Sequence, residues 1–321
     1  MTNEKMLIYV RIIFLGKFAM SDNIVLTAIM RHIPITIIIL FFSVFLNAQI
    51  LYECRSQNSD TVVYVFGTCH SVPVKAKIDT VFLTKLIHAS DVIFSEIFVD
   101  DGDTSYKKIS LSLNKKLRYK NNGLLRDSVT KDEYAQIMNY YKSQYGTSTK
   151  EFRWSTYYLP QVMHNQLKYS NKKFYSLDKL LYSIAKQTNN KIKNLDNEQL
   201  LSDAYAMLSS QYDIKWLLNM VNHRDTSQIG NDLIIQYYLR QDTAGIAGVL
   251  RASPLHSLHQ KVLIENRNKH WFKVIDQHLE RSNFIYCGLA HVISGESSLL
   301  NFFRTKQYSI TEININIKTI H

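Results

Sequence analysis

"YVFGTCHSV", residues 64–72, decides the fold: a β-branched and aromatic run ends on a glycine, and after two intervening residues comes a histidine. The run begins at Thr61 as "TVVYVF", which has the length and composition of a buried strand. Glycine at the end of a strand permits a tight turn or a close approach of another group to the backbone. The same grammar returns in "IYCGLAHVI", residues 285–293. Each unit therefore presents a histidine, His70 or His291, at a strand's carboxyl end. In open sheets covered by helices, that edge is where ligands bind.

Outward from the first unit, "PVKAKIDTVFLTKLIHAS" carries Val81, Phe82, Leu86 and Ile87 at helical spacing, and "DVIFSEIFV" from Asp91 is a second strand. Strand, helix, strand at this length is the pattern of a right-handed crossover. Residues from about 130 to 259 place apolar side chains three or four apart in several runs, among them "EYAQIMNYYKSQY" and "NDLIIQYYLRQ". They read as a helical insertion. A long helix, "HQKVLIENRNKHWFKVIDQHLERS", leads to the strand "NFIYCG", a last helix "SLLNFFRTKQ" and a closing strand "YSITEINI". The expected fold class is α/β (α+β), a mixed central sheet flanked by helices with a helical insertion.

The bulk composition sets the outer limits. The chain has 321 residues, 46% hydrophobic and 20% charged, which suits a globular protein with a real core. Its formal charge of +11 is diffuse, with no basic run longer than the pairs at Lys107, Lys115 and Lys172. Neither a basic stripe nor a reader module is present, so nucleic acid is not an expected partner. "MRHIPITIIILFFSVFLNAQ" from Met30 has a basic start, a largely apolar stretch from Ile33 to Leu46 and small Ala48. That is the build of a secretory signal peptide, shorter than the ~20 residues of a membrane span. The expectation is an N-terminal extension and signal over 1–48, with the biological start at Met30, and one domain over 49–321. An exported protein, periplasmic or secreted, follows; the alternative is an uncleaved N-terminal anchor. Cys54, Cys69 and Cys287 remain, and Cys69 and Cys287 each sit beside a histidine unit. They read either as a bridge or as small buried thiols.

Two further residues draw attention on chemical grounds. Glu96 breaks an apolar run, and a carboxylate there must be paired, hydrogen-bonded or bound to a metal, because isolated burial of its charge is costly. Leu263, Arg267, Trp271, Ile275 and Leu279 fall four apart, so Arg267, with Asn268 at its side, interrupts an otherwise apolar helix face. A guanidinium there needs a carboxylate, a cluster of backbone carbonyls or an anionic substrate group, and Glu96 would satisfy it. Two histidines and a glutamate at neighbouring strand ends also suit a divalent transition metal with open positions for water.

The ordered set "FGTCH", "VIFSE", "NRNKHW" and "CGLAHVISGESSLLNFFRTKQYSI" resembles the TraB/GumN family, which includes the TIKI metalloproteases. "SLDKLLYSIAKQTNNKIKNLD" is similar to the segment where that family writes Leu-Asp, a helix with alanine, and Leu-Glu. The resemblance implies a fold like that of the erythromycin esterase and ChaN-like proteins, built from two related halves. It implies a metal-dependent hydrolase of the peptidase type, with His70, Glu96 and His291 as ligands and manganese, cobalt or zinc as the ion. Glu96, Arg267 and Asn268 would be the catalytic and supporting set, with Glu96 as ligand or base and Arg267 stabilising a developing oxyanion. Gly67 and Gly288 would border the cofactor. The substrate would be a peptide or a small molecule; the alternative function is haem or ligand binding without catalysis. Three residues depart from the family pattern: Cys69 for a β-branched residue, Asp196 for glutamate, and Gln307 for glycine before the last strand. The last two are expected to lie away from the site.

Overall fold

The computed structural model describes residues 49–97, 111–112, 115–116, 123–145, 174–211, 217–218, 221–222, 224–253 and 256–319. The expected signal stretch and start site lie outside these residues. Along the chain run β1 (Leu51–Ser56), β2 (Val62–Thr68), β3 (Ser71–Pro73), β4 (Ala76–Ile78), α1 (Thr80–His88) and β5 (Val92–Ser95). After α2 (Lys131–Tyr145) come β6 (Phe174–Ser176), α3 (Leu177–Ala185), β7 (Lys191–Asn194), α4 (Glu198–Gln211), α5 (Arg224–Leu239) and α6 (Thr243–Arg251). A helical run from His256 then passes through a π turn, Gln260–Glu265, into α7 (Asn266–His278). The chain closes with β8 (Ser282–Gly288), α8 (Leu289–Ile293), α9 (Leu299–Thr305), β9 (Tyr308–Ile313) and β10 (Ile317–Thr319).

The main sheet has six strands in the order β7-β5-β8-β2-β1-β9. The four from β7 to β2 are parallel to one another, and β1 pairs antiparallel with both β2 and β9. The fold is thus mixed α/β, as the strand and helix succession predicts. β5 is buried along its whole length and β8 at all but its first residue, which is what covering both faces of a parallel sheet demands. Phe66, Phe94, Phe284 and Ile285 fill this centre, each side chain stabilising the fold by about 1.5–3 kcal/mol.

Several elements differ from the sequence reading. The segment read as a helical insertion also contains β6 and β7, and β7 joins the main sheet. β7 reads "KIKN", with one apolar residue, because an edge strand needs little apolar surface. Within the first predicted helix, Asp79 caps the start by accepting from Phe82 N–H at 2.9 Å, and "VKAKI" before it contains β4. That start turns Leu83 and Ile87 inward and leaves Val81 exposed, not buried. None of the three cysteines is in a disulfide, so Cys69 and Cys287 form no bridge. Among the described residues, no helix is long and apolar enough to cross a membrane.

Candidate functional site

Each of the four parallel strands ends beside one titratable residue. β2 leads to His70, β5 to Glu96, β7 to Asp196 and β8 to His291. Backbone pairing continues past the strands: Leu195 N–H donates to Ser95 O at 2.8 Å and Asp196 N–H to Glu96 O at 2.9 Å, which sets the two carboxylates side by side. The two histidine units are not in phase. Gly67 pairs with Cys287 and Thr68 with Gly288, so Gly288 sits one register position beyond Gly67, and the chain leaves β8 at its motif glycine, one residue sooner in the motif than it leaves β2. The first unit then enters β3, whereas the second enters α8 and carries His291 inward.

The glycines act through close approach, and neither has a left-handed backbone. A Cβ on Gly67 would collide with Leu289 Cδ1 and lie 3.1 Å from Leu289 Cα, so this residue lets β2 pack against the start of α8. A Cβ on Gly288 would lie 3.0 Å from His70 Nε2 and 3.6 Å from Glu96 Oε2. Gly288 is therefore the floor beneath the His70 and Glu96 pair, while Gly67 serves packing.

Arg267 holds the buried side of the site together. Its Nε–H faces both Asp196 oxygens at 3.2 and 3.1 Å, and one amino group bonds Glu96 Oε1 and Asp196 Oδ2. The other amino group donates to Leu263 O at 3.2 Å and to His291 Nε2 at 3.1 Å. Leu263 belongs to the π turn, where the Asn266 N–H reaches back to Lys261 O and the regular helical ladder is offset. π turns of this kind recur at functional sites. Every donor of the guanidinium thus has an internal acceptor, leaving none for a substrate oxyanion. The resemblance implies an oxyanion role for Arg267; the geometry gives it a holding role instead.

Asn268 fixes His291. Its amide nitrogen donates to His291 O at 3.0 Å and Ser297 O at 2.6 Å, so its oxygen is left to accept from His291 Nδ1–H at 2.6 Å. His291 Nε2 must then be the acceptor toward Arg267, and the ring is neutral. Burial holds its pKa well below the usual histidine range, and the Arg267 charge pushes the same way. Trp271 completes the enclosure by stacking on His291 with ring centroids 4.1 Å apart, while its indole N–H donates to Asp196 at 2.7 Å.

His70 has the opposite surroundings. Its side chain is 60% exposed, at the mouth of the site. Nδ1 lies 2.9 Å from Asp178 Oδ2, and Asp178 Oδ1 accepts from Thr68 Oγ1 at 2.8 Å. The β3 and β6 ribbon makes this contact: Ser71 pairs with Ser176, which caps α3, and Asp178 stands in that helix's first turn. The surrounding protein disfavours the charged ring, but Asp178, and Glu96 behind it, outweigh this and raise the pKa to about 9. Nε2 faces Glu96 Oε2 at 3.9 Å, and that oxygen also accepts from Gly288 N–H at 3.2 Å. Burial pushes the Glu96 carboxyl up, yet the Arg267 and His70 charges outweigh it and hold it far below the usual range. Asp196 is pushed up by burial against the pull of Arg267, so Glu96 is the more firmly ionised of the two.

The model of the TraB/PrgY/gumN family matches residues 50–312. The chain belongs to this family. No curated protein and no solved structure matches it. The TraB/PrgY/gumN assignment agrees with the ordered motifs, and the structure brings His70, Glu96, Arg267, Asn268 and His291 into one cluster.

The three expected metal ligands do not converge. His291 Nε2 is occupied by Arg267, and among the described residues no three His, Cys, Asp or Glu side chains are grouped to hold one ion. Of the three, His70 Nε2 and Glu96 Oε2 face each other at 3.9 Å, and His291 does not join them. The residues present therefore do not fit the expected two-histidine, one-glutamate centre. Two acids that sequence reasoning left without a role, Asp178 and Asp196, are at the heart of the cluster. Both stand in the Leu-Asp pairs of the segment quoted for the family resemblance, which was the available signal. Asp196 lies at the site and not away from it. Gln307 does lie apart, and its φ of 61° explains why the family pattern has glycine there.

Proposed function

We propose that this TraB/PrgY/gumN member is a hydrolase of peptide or other acyl bonds that uses His70 as its proton carrier. The observation that carries the reading is the exposed His70, oriented by Asp178 at Nδ1 and facing Glu96 across Nε2, at the carboxyl edge of the parallel strands. A histidine whose far nitrogen is held by a carboxylate presents the other nitrogen in a fixed tautomer, ready to take a proton from water and pass it to a leaving group. Asp178 and Glu96 both stabilise the imidazolium formed in that step. The same stabilisation keeps the base largely protonated at neutral pH, so turnover rises with pH toward about 9. Arg267 and Asn268 position Glu96 and His291 without touching the substrate.

The proposal places the domain outside the cytoplasm, on the strength of the apolar stretch from Ile33 to Leu46. N-terminal sequencing of exported protein should find a start just after Ala48. Activity is tested on the full chain with a fluorogenic peptide library and p-nitrophenyl esters, at pH 6 to 10, with chelator and with added manganese, cobalt or zinc. The expected result is activity that survives the chelator and falls at least ~100-fold in H70A and E96Q. H70A within threefold of wild type refutes the assignment. Loss of activity on chelation with recovery by one ion would return the site to metal chemistry.

A further inference from the structure

A second feature opens directly beside His70. A cavity of about 200 Å³ is bounded by His70 and Gly288 on one side and by Ile234, Ile235, Tyr238, Ile246 and Leu250 of α5 and α6 on the other. Tyr238 and Ile246 are buried and form its floor, while Ile234, Ile235 and Leu250 are only half-buried. Three aliphatic side chains from two helices thus keep apolar surface in water around one opening.

The polar groups near the cavity are already engaged. The Tyr238 hydroxyl donates to Gly67 O at 3.0 Å, which leaves its ring for the cavity, and the Thr68 hydroxyl donates to Asp178. The result is an apolar chamber whose polar end is His70, with Glu96 behind it. Ligand sites commonly combine an apolar lining with a few convergent polar groups in this way. A cavity of about 150 Å³ lined by aliphatic and aromatic side chains takes up benzene, so this one has room for a phenyl ring, a branched side chain or a short acyl chain.

We propose that this cavity is the subsite for an apolar group attached next to the scissile carbonyl, so that the substrates are esters or amides with an aliphatic or aromatic arm of about that size. The proposal rests on the hydrolase reading. An acyl chain and an apolar amino-acid side chain share the required chemistry.

Two substrate panels on the full chain separate those sources: p-nitrophenyl acetate, butanoate, hexanoate and dodecanoate, and the p-nitroanilides of alanine, leucine and phenylalanine. In the panel that matches the source, kcat/KM should rise two- to fourfold per added methylene up to the filled cavity and fall beyond it. L250W should fill the chamber and bring the hexanoate to acetate ratio, or the leucine to alanine ratio, to within twofold of one. L250A should move the optimum to a longer chain, a shift that a merely misfolded variant cannot give. A binding arm keeps the two readings apart: hexanoic acid is followed by saturation-transfer NMR on wild type and L250W. Binding seen in wild type and lost in L250W supports the subsite even where no substrate is turned over, an outcome that sinks only the hydrolase. A flat size profile in both panels together with no hexanoic acid binding overturns the subsite, as does a ratio unchanged in L250W.

Discussion

Replacing Asp196 by asparagine is expected to cost the fold about 3–5 kcal/mol, the usual range for removing one partner of a buried ion pair. Its side chain is fully buried and accepts from Arg267 Nε–H at 3.1 Å, from an Arg267 amino group and from Trp271 Nε1–H at 2.7 Å. Asparagine keeps the shape and can keep the Trp271 bond. Its NH2 group, however, would face the guanidinium, donor against donor, and Arg267 would be left with Glu96 as its sole counter-ion in this cluster. At roughly 2–4 °C per kcal/mol for a domain of this size, the melting temperature should fall by about 10 °C. Urea unfolding followed by far-UV circular dichroism measures the loss directly. D196N within 1 kcal/mol of wild type would refute the reasoning, because Arg267 would then not depend on Asp196. The double variant D196N/R267M should recover part of the loss, since it removes the buried cation along with its partner.

Two further outcomes follow from the site and a third from the turn before β9. Because His70 has a folded pKa of about 9, above the ordinary 6.5, its ion pair stabilises the fold fully below about pH 6.5 and is lost as pH rises through 9; D178N should shift the rising limb of kcat/KM to lower pH and flatten this stability change. G288A has no backbone strain to overcome, with φ at −51°, but its Cβ would sit 3.0 Å from His70 Nε2; kcat/KM should fall at least ~10-fold with a melting temperature close to wild type. Q307G removes a side chain from a left-handed residue, worth ~1 kcal/mol, at the expense of one exposed hydrogen bond to Asn58, so a net gain of roughly 0.5 kcal/mol should appear in urea melts.

The parts of the fold that can be read from the chain are the ones whose sequence is set by burial. β2 and β8 are β-branched and aromatic because both of their faces are covered, and their glycines mark real close approaches. β1 alternates, with Glu53 and Arg55 interleaving its buried residues, and β7 has almost no apolar content; neither announces itself as a strand. The site was legible as far as its residues sit next to strand ends with a visible anomaly, such as Glu96 in an apolar run. Asp178 has no such anomaly. It is an ordinary acid in a helix's first turn, and only the pairing of β3 with β6 brings it to His70. The roles of His291 and Arg267 could not be read either, because hydrogen-bond direction depends on Asn268, whose amide is oriented by two carbonyls from a loop and a helix further along the chain.

The one-residue offset between the two histidine units has a consequence for how the pair divides its labour. A strict copy would have given two equivalent imidazoles, each competing for the same proton and the same water. The stagger sends one ring outward to a carboxylate and the other inward beneath an indole, so their acidities separate in opposite directions. One member of the repeat is free to exchange protons with the medium, and its twin has become masonry, a fixed wall that keeps Arg267 in place. Deleting one residue of β8 ahead of Cys287 would bring the two glycines level and undo that separation.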